Sequence, residues 1–149
     1  MRDQAEDIRR LASGLDEEAL AARVAPERWS LKELVCHIWR VQEVFEMRIE
    51  SMLTETNPPI APYGPDHDPE FDEKMKSTCA ELVAAFLAER EEFLALLTSL
   101  PPADWRHQGR HPEFPNYDVQ FAVEYLGHHE AHHIYQMFQR RPVTPKAHA

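Results

Sequence analysis

Nine histidines occur in this chain of 149 residues, and three pairs of them stand four apart: His107 with His111, His128 with His132, and His129 with His133. Neutral imidazole offers a nitrogen lone pair near pH 7, which makes it a common ligand for transition metals. At this abundance chance alone supplies roughly half of one H-x-x-x-H pair, so position on a helix decides more than spacing. His107 and His111 enclose Gly109 and precede Pro112, which places that pair in irregular backbone. The two later pairs fall in a segment of helical periodicity, where residues four apart share a face.

On a wheel advancing 100° per residue, Val119, Ala122, Val123, Leu126, Ile134 and Met137 define the apolar arc of that segment. His129 and His133 run along its edge with Gln136, whereas His128 and His132 point roughly the opposite way. The inward pair is therefore His129 and His133, with Gln136 as a candidate partner behind them. On an earlier helical segment His37 sits at the margin of the apolar face, near Leu34, Val41 and Val44. Three imidazoles entering from two facing helices suit a divalent transition metal with open coordination positions. A histidine at an apolar margin is also an ordinary hydrogen-bonded core residue, and at this point both readings stand. Glu33, one turn before His37, is placed to orient the second ring nitrogen or to act as a base, and a capping role competes with both. Cys36 lies about 100° around the helix from His37, which speaks against a Cys–His nucleophile and for a small half-buried hydrophobe.

These residues need long helices to hold them. Only four glycines occur, and Ala, Leu, Glu, Arg and Met dominate the long segments. A first helix is expected from about Asp3 to Ser13, stopped by Gly14, with Asp16 capping a further turn or two through Ala22. Ser30 and Glu33 form a capping box, with Trp29 and Leu34 placed for a hydrophobic staple, and the helix they open should reach about Leu53. Leu31, Leu34, Ile38, Val41, Phe45, Ile49 and Met52 stripe one side of it, while Cys36, Trp39 and Met47 lie elsewhere, toward the first helix or another subunit. Residues 57–69 hold five prolines and read as a surface loop. Asp68 and Pro69 should start a helix running to about Leu100. After an irregular segment around Trp105 and His111, the last helix should begin near Asn116 or Asp118 and end near Arg140, before a loose tail over residues 141–149. Such lengths and connections predict an all-α four-helix bundle in one domain over residues 1–149.

Twenty-six acidic against 16 basic residues leave a net charge of −10, which argues against a nucleic-acid partner that must be gripped by its phosphates. No apolar run approaches the roughly 20 residues that span a bilayer, and the charged opening lacks a signal-peptide core. Two cysteines without a CxxC pair suggest no disulfide framework. The expectation is a cytoplasmic protein acting on a small molecule, with neither nucleic acid nor membrane as partner.

Trp29-Ser30-Leu31-Lys32-Glu33-Leu34-Val35-Cys36-His37 resembles the W-S-x-x-E-x-x-x-H opening of the second helix in the DinB/YfiT-like family. His129-Glu130-Ala131-His132-His133-Ile134-Tyr135-Gln136-Met137 resembles its C-terminal H-x-x-x-H-x-x-Q signature, and the likeness covers nearly the whole chain. The resemblance implies an up-down-down-up bundle with one long crossover, and a divalent metal (zinc, nickel or iron) on His37, His129 and His133. It further implies a homodimer and, as first reading, a thiol-dependent S-transferase using a low-molecular-weight thiol such as glutathione, mycothiol or bacillithiol. A metal-dependent hydrolase, or a non-catalytic metal-binding dimer associated with stress, is the alternative.

Overall fold

A computed structural model describes residues 1–142. Its longest helix starts where two side chains satisfy each other's end groups. The Ser30 hydroxyl accepts the Glu33 N–H at 3.1 Å, and the Glu33 carboxylate accepts the Ser30 N–H at 2.7 Å. This capping box opens α3, Leu31–Thr54. Arg23 donates to the same Glu33 carboxylate at 2.9 Å, so Glu33 is committed to structure and does not serve His37. Helix α1 (Arg2–Ala12) ends before Gly14, whose φ of +72° reverses the chain. Asp16 then caps the short α2 (Glu17–Ala21).

The expected helix from Pro69 to Leu100 is two helices, α4 (Pro69–Lys74) and α5 (Cys79–Ser99). The break has a local cause. The Thr78 hydroxyl accepts the Glu81 N–H at 3.2 Å while the Glu81 carboxylate accepts the Thr78 N–H at 2.7 Å, a second capping box that starts the chain afresh. Asp118 caps the last helix, α6 (Val119–Arg140). Ahead of it two-residue strands, β1 (Gln108–Gly109) and β2 (Tyr117–Asp118), pair antiparallel within the segment expected to be irregular.

Helix directions follow from shared contacts. Gln4 of α1 donates to the Gly127 carbonyl at 2.9 Å and Arg141 donates to the Leu11 carbonyl, so α1 and α6 run parallel. Leu31, Leu34 and Ile38 cluster with Leu82, Phe86 and Met137 at one end of the bundle. Phe45, Ile49 and Met52 cluster with Phe93, Leu97, Val119 and Ala122 at the other. Hence α3 and α5 run together and against α1 and α6, the up-down-down-up order. Around the bundle α1 neighbours α5 and α6, and α3 neighbours the same two, so α1 faces α3 and α5 faces α6 across the diagonals.

After α3 the chain must travel back along the bundle before α5 can begin. This crossover is more than a surface loop: Pro58 and Ile60 are buried, the Ile60 N–H donates to the Arg110 carbonyl at 2.9 Å, and the Arg110 N–H donates to the Pro58 carbonyl at 2.8 Å. Gly109 permits that approach, because a Cβ there would stand 2.6 Å from Cγ1 of Ile60. Asp68 ties the far end of the crossover to α3, accepting from Arg40 and from the Tyr63 hydroxyl at 2.8 Å each. Cys36 is fully buried under α4, with its sulfur 3.7 Å from the Phe71 carbonyl. Trp39 donates to Glu89 of α5 at 2.5 Å and lies beneath Lys74, so the side of α3 expected to meet the first helix or another subunit is covered at Trp39 by α4 and α5. Met47 is exposed. Arg141 is docked on the end of α1, and the rest of the expected tail beyond residue 142 lies outside the described residues. Among the described residues no helix is long and apolar enough to cross a membrane.

Candidate metal centre

Antiparallel packing of α3 on α6 brings His37 opposite His129 and His133. One nitrogen from each lies within 4.8 Å of the other two. The Nε2 atom of His129 stands 3.2 Å from Nε2 of His37 and 3.1 Å from Nε2 of His133. His37 is buried, His129 and His133 are partly so, and His128 and His132 are exposed. The pair assigned inward by the helical wheel is thus the pair that meets His37.

The three rings repel protons. Burial, reinforced by His133 and His129, pushes His37 down to about 3. Burial and the neighbouring His133 and His132 take His129 down to about 4. His133 is lowered too, mainly by burial, against a hydrogen bond from its ring to Gln136. Neutral rings at this spacing cannot all satisfy one another, because an imidazole nitrogen either donates or accepts. His129 Nε2 therefore serves only one of its two neighbours, and one close pair of lone pairs remains. A cation between the three nitrogens removes that conflict. Ligand bonds of about 2.0–2.1 Å place neighbouring nitrogens roughly 3.0–3.4 Å apart, which is the spacing of His129 from each of its two partners.

The rest of the site orients the rings. Nδ1 of His133 lies 3.0 Å from Oε1 of Gln136, and the Gln136 amide nitrogen lies 3.0 Å from Nε2 of His132. With the Gln136 oxygen accepting from Nδ1–H, the lone pair of His133 is left on Nε2, turned to the other histidines. His37 is held by packing: its ring sits 4.7 Å from Trp29 and 6.5 Å from Tyr63, and its buried Nδ1 has no hydrogen-bond partner. Trp29 also stacks 6.4 Å from His133, so the residue expected as a hydrophobic staple covers the site.

The triad forms one wall of a cavity of about 410 Å³. Its other walls come from α3 (Val41, Phe45, Arg48), the crossover (Pro62, Tyr63) and the segment before α6 (His111, Phe114, Tyr117). Of these, Arg48, Tyr63 and Tyr117 had drawn no attention in the sequence, since they sit in segments whose approach no local pattern encodes. His107 points elsewhere, its Nδ1 lying 2.9 Å from the Met52 carbonyl at the end of α3. Cys36 takes no part, burial pushing its thiol up to about 12.

A buried polar group that no sequence motif marked joins α3, α5 and α6. Arg90 of α5 and Glu130 of α6 form a fully buried ion pair, with Arg90 NH1 and NH2 donating at 3.1 and 2.5 Å. Arg90 Nε donates to Gln42 of α3 at 2.6 Å. Glu130 lies near the centre of the apolar arc of α6, with Gln42 and Arg90 at the edges of theirs, and a polar residue inside the α6 stripe was the available signal.

Comparisons with known proteins agree with this architecture. The uncharacterised protein YuaE of Bacillus subtilis (strain 168) is 27% identical over 143 residues, covering 83% of this chain and 84% of its own. A Bacillus mycoides (strain KBAB4) protein provisionally named a metal-dependent hydrolase is 26% identical over 134 residues, covering 89% and 76%. The solved structure of YfiT from Bacillus subtilis, described as a probable metal-dependent hydrolase with an unusual four-helix bundle topology, superposes with a TM-score of 0.81. That alignment covers 93% of this chain and 79% of YfiT at 18% identity, and so speaks to the fold. The DinB superfamily pattern matches residues 1–137, and the chain belongs to that superfamily.

Proposed function

We propose that this protein is a metal-dependent hydrolase of small molecules, with His37, His129 and His133 as the metal ligands. The observation that carries the reading is the convergence of three neutral Nε2 atoms on one wall of an aromatic cavity. The provisional name of the Bacillus mycoides relative supports the reaction class. When bound there, a divalent metal such as zinc, nickel or iron supplies Lewis acidity that brings a nucleophile toward its deprotonated form near neutral pH. The chain's own residues do the rest. Gln136 holds the proton of His133 on Nδ1, Trp29 and Tyr63 cover the rings, and the Asp68 tie keeps Tyr63 in place. The thiol S-transferase expected from the family resemblance would use the same three histidines, with a low-molecular-weight thiol in place of water. A cytoplasmic setting and a homodimer complete the proposal, supported by two free buried cysteines and by exposed Tyr135 and Phe138 on α6.

Elemental analysis of the purified chain, followed by assay on a panel of small esters and amides, tests this. One divalent metal per chain and hydrolysis abolished in His133→Ala are expected. A chain that carries no transition metal and gains none on titration overturns the reading. Conjugation of glutathione, mycothiol or bacillithiol to monochlorobimane without hydrolysis selects thiol transfer. Metal without any turnover selects the non-catalytic alternative.

A further inference from the structure

Away from the triad the cavity wall carries a cation whose partners are neutral. Arg48 NH2 donates to the Ala61 carbonyl at 2.6 Å, and NH1 reaches the Tyr117 hydroxyl at 3.4 Å. Its guanidinium carbon rests 4.8 Å from the centre of the Phe45 ring. Two of its five N–H groups are thus engaged, and among the described residues no carboxylate forms an ion pair with it. Beside it stands His111. The Glu113 N–H donates to Nδ1 of His111 at 3.1 Å, so the neutral ring carries its proton on Nε2. The ring stacks at 5.0 Å on Tyr117 and lies 4.9 Å from Phe114, which fixes its plane against the cavity. Burial and the Arg48 charge lower its pKa against the nearby Glu113 carboxylate, which also lines the cavity, and keep it a neutral donor at pH 7.

We infer that Arg48 and His111 form a carboxylate-binding subsite, so that the cavity takes a small organic acid with an aromatic or apolar body. A planar fork of donors matches a carboxylate in shape as well as charge, and Phe114 and Tyr117 supply apolar faces for the body. This specifies the substrate class of the proposed hydrolase and rests on that reading for the reaction only. Binding through Arg48 does not need the metal.

Isothermal titration of the purified chain with 3-phenylpropionate and with the neutral 3-phenylpropionamide, shown by chromatography to be intact after each run, tests the subsite. The carboxylate should bind at least about tenfold more tightly. Arg48→Gln should abolish that preference while leaving amide affinity in place, Arg48→Lys should retain part of it, and His111→Phe should lose several-fold of it. His133→Ala should keep the preference even if its metal is gone, which separates failure of this inference from failure of the hydrolase reading. Equal affinities for acid and amide, or a preference unchanged in Arg48→Gln, overturn the inference, the latter by placing the carboxylate elsewhere in the cavity. No measurable carboxylate binding at millimolar concentration overturns it as well. If Arg48→Gln binds neither compound, His111→Phe decides: a reduced preference with normal amide affinity supports the subsite, and an unchanged preference overturns it.

Discussion

Arg90 and Glu130 meet across the diagonal of the bundle, each only 1% exposed, on helices that otherwise barely touch. The pair sits between the two apolar clusters, and Glu130 follows His129 in sequence. Removing one partner strands a charge with neither water nor counter-ion, which costs about 3–5 kcal/mol. Glu130→Gln and Arg90→Met should each lower the unfolding free energy, read from urea titration, by an amount in that range. The double variant Arg90→Met/Glu130→Leu should recover much of the loss, since no unpaired charge is left. Single variants as stable as the wild type would show that the pair is not closed in solution.

His132 and His133 separate the site from its surroundings by one residue. His133 turns Nε2 to His129 at 3.1 Å, while His132 is exposed and its Nε2 meets the Gln136 amide. His133→Ala should strip the metal, and His132→Ala should retain it, as read by elemental analysis after dialysis. Equal loss in both would refute the assignment of the inward pair.

That assignment was legible because it depends only on helical geometry. The wheel placed His129, His133 and Gln136 together, and the Ser30–Glu33 box marked the helix that carries His37. The break between α4 and α5 was hidden by an apolar stripe that runs on through Met75 and Leu82, although Thr78 and Glu81 spell a second capping box. Gln42, Arg90 and Glu130 escaped because a wheel scored for apolar residues does not weigh the polar residues that share a buried face with them. The far wall of the cavity was beyond local reading altogether. Arg48, Tyr63 and His111 come from three separate segments, brought together only when Ile60 pairs beside Arg110.

Gln136 accepts from His133 and donates to His132, so its amide fixes the tautomer of the metal-facing ring. Partners of this kind typically contribute 10–100-fold to metal affinity. Gln136→Leu should therefore keep the fold but release metal to a competing chelator at about 10–100-fold lower chelator concentration. Gln136→Glu, which can still accept from Nδ1, should bind metal at least as well as the wild type. Release indistinguishable between Gln136→Leu and the wild type would reduce Gln136 to a bystander.

Proton competition provides a test independent of any substrate. His37 and His129 are held near 3 and 4 in the folded chain, against about 6.5 when unfolded. Their folded values are depressed, so the unfolded state takes up protons first as the pH falls. Stability contributed by the neutral rings is present above pH 6.5 and is lost progressively toward pH 3 to 4. In chelator-treated protein the loss by pH 5 should be on the order of 2 kcal/mol for each ring that stays neutral. Urea midpoints at pH 7.5 and 5.0 measure it, with His129→Gln as the reference that lacks one titrating ring. The wild type should lose more stability between the two pH values than His129→Gln does. Identical pH dependence in the two proteins would mean that His129 is not buried neutral, and the close approach of its Nε2 to His37 and His133 would have to be abandoned.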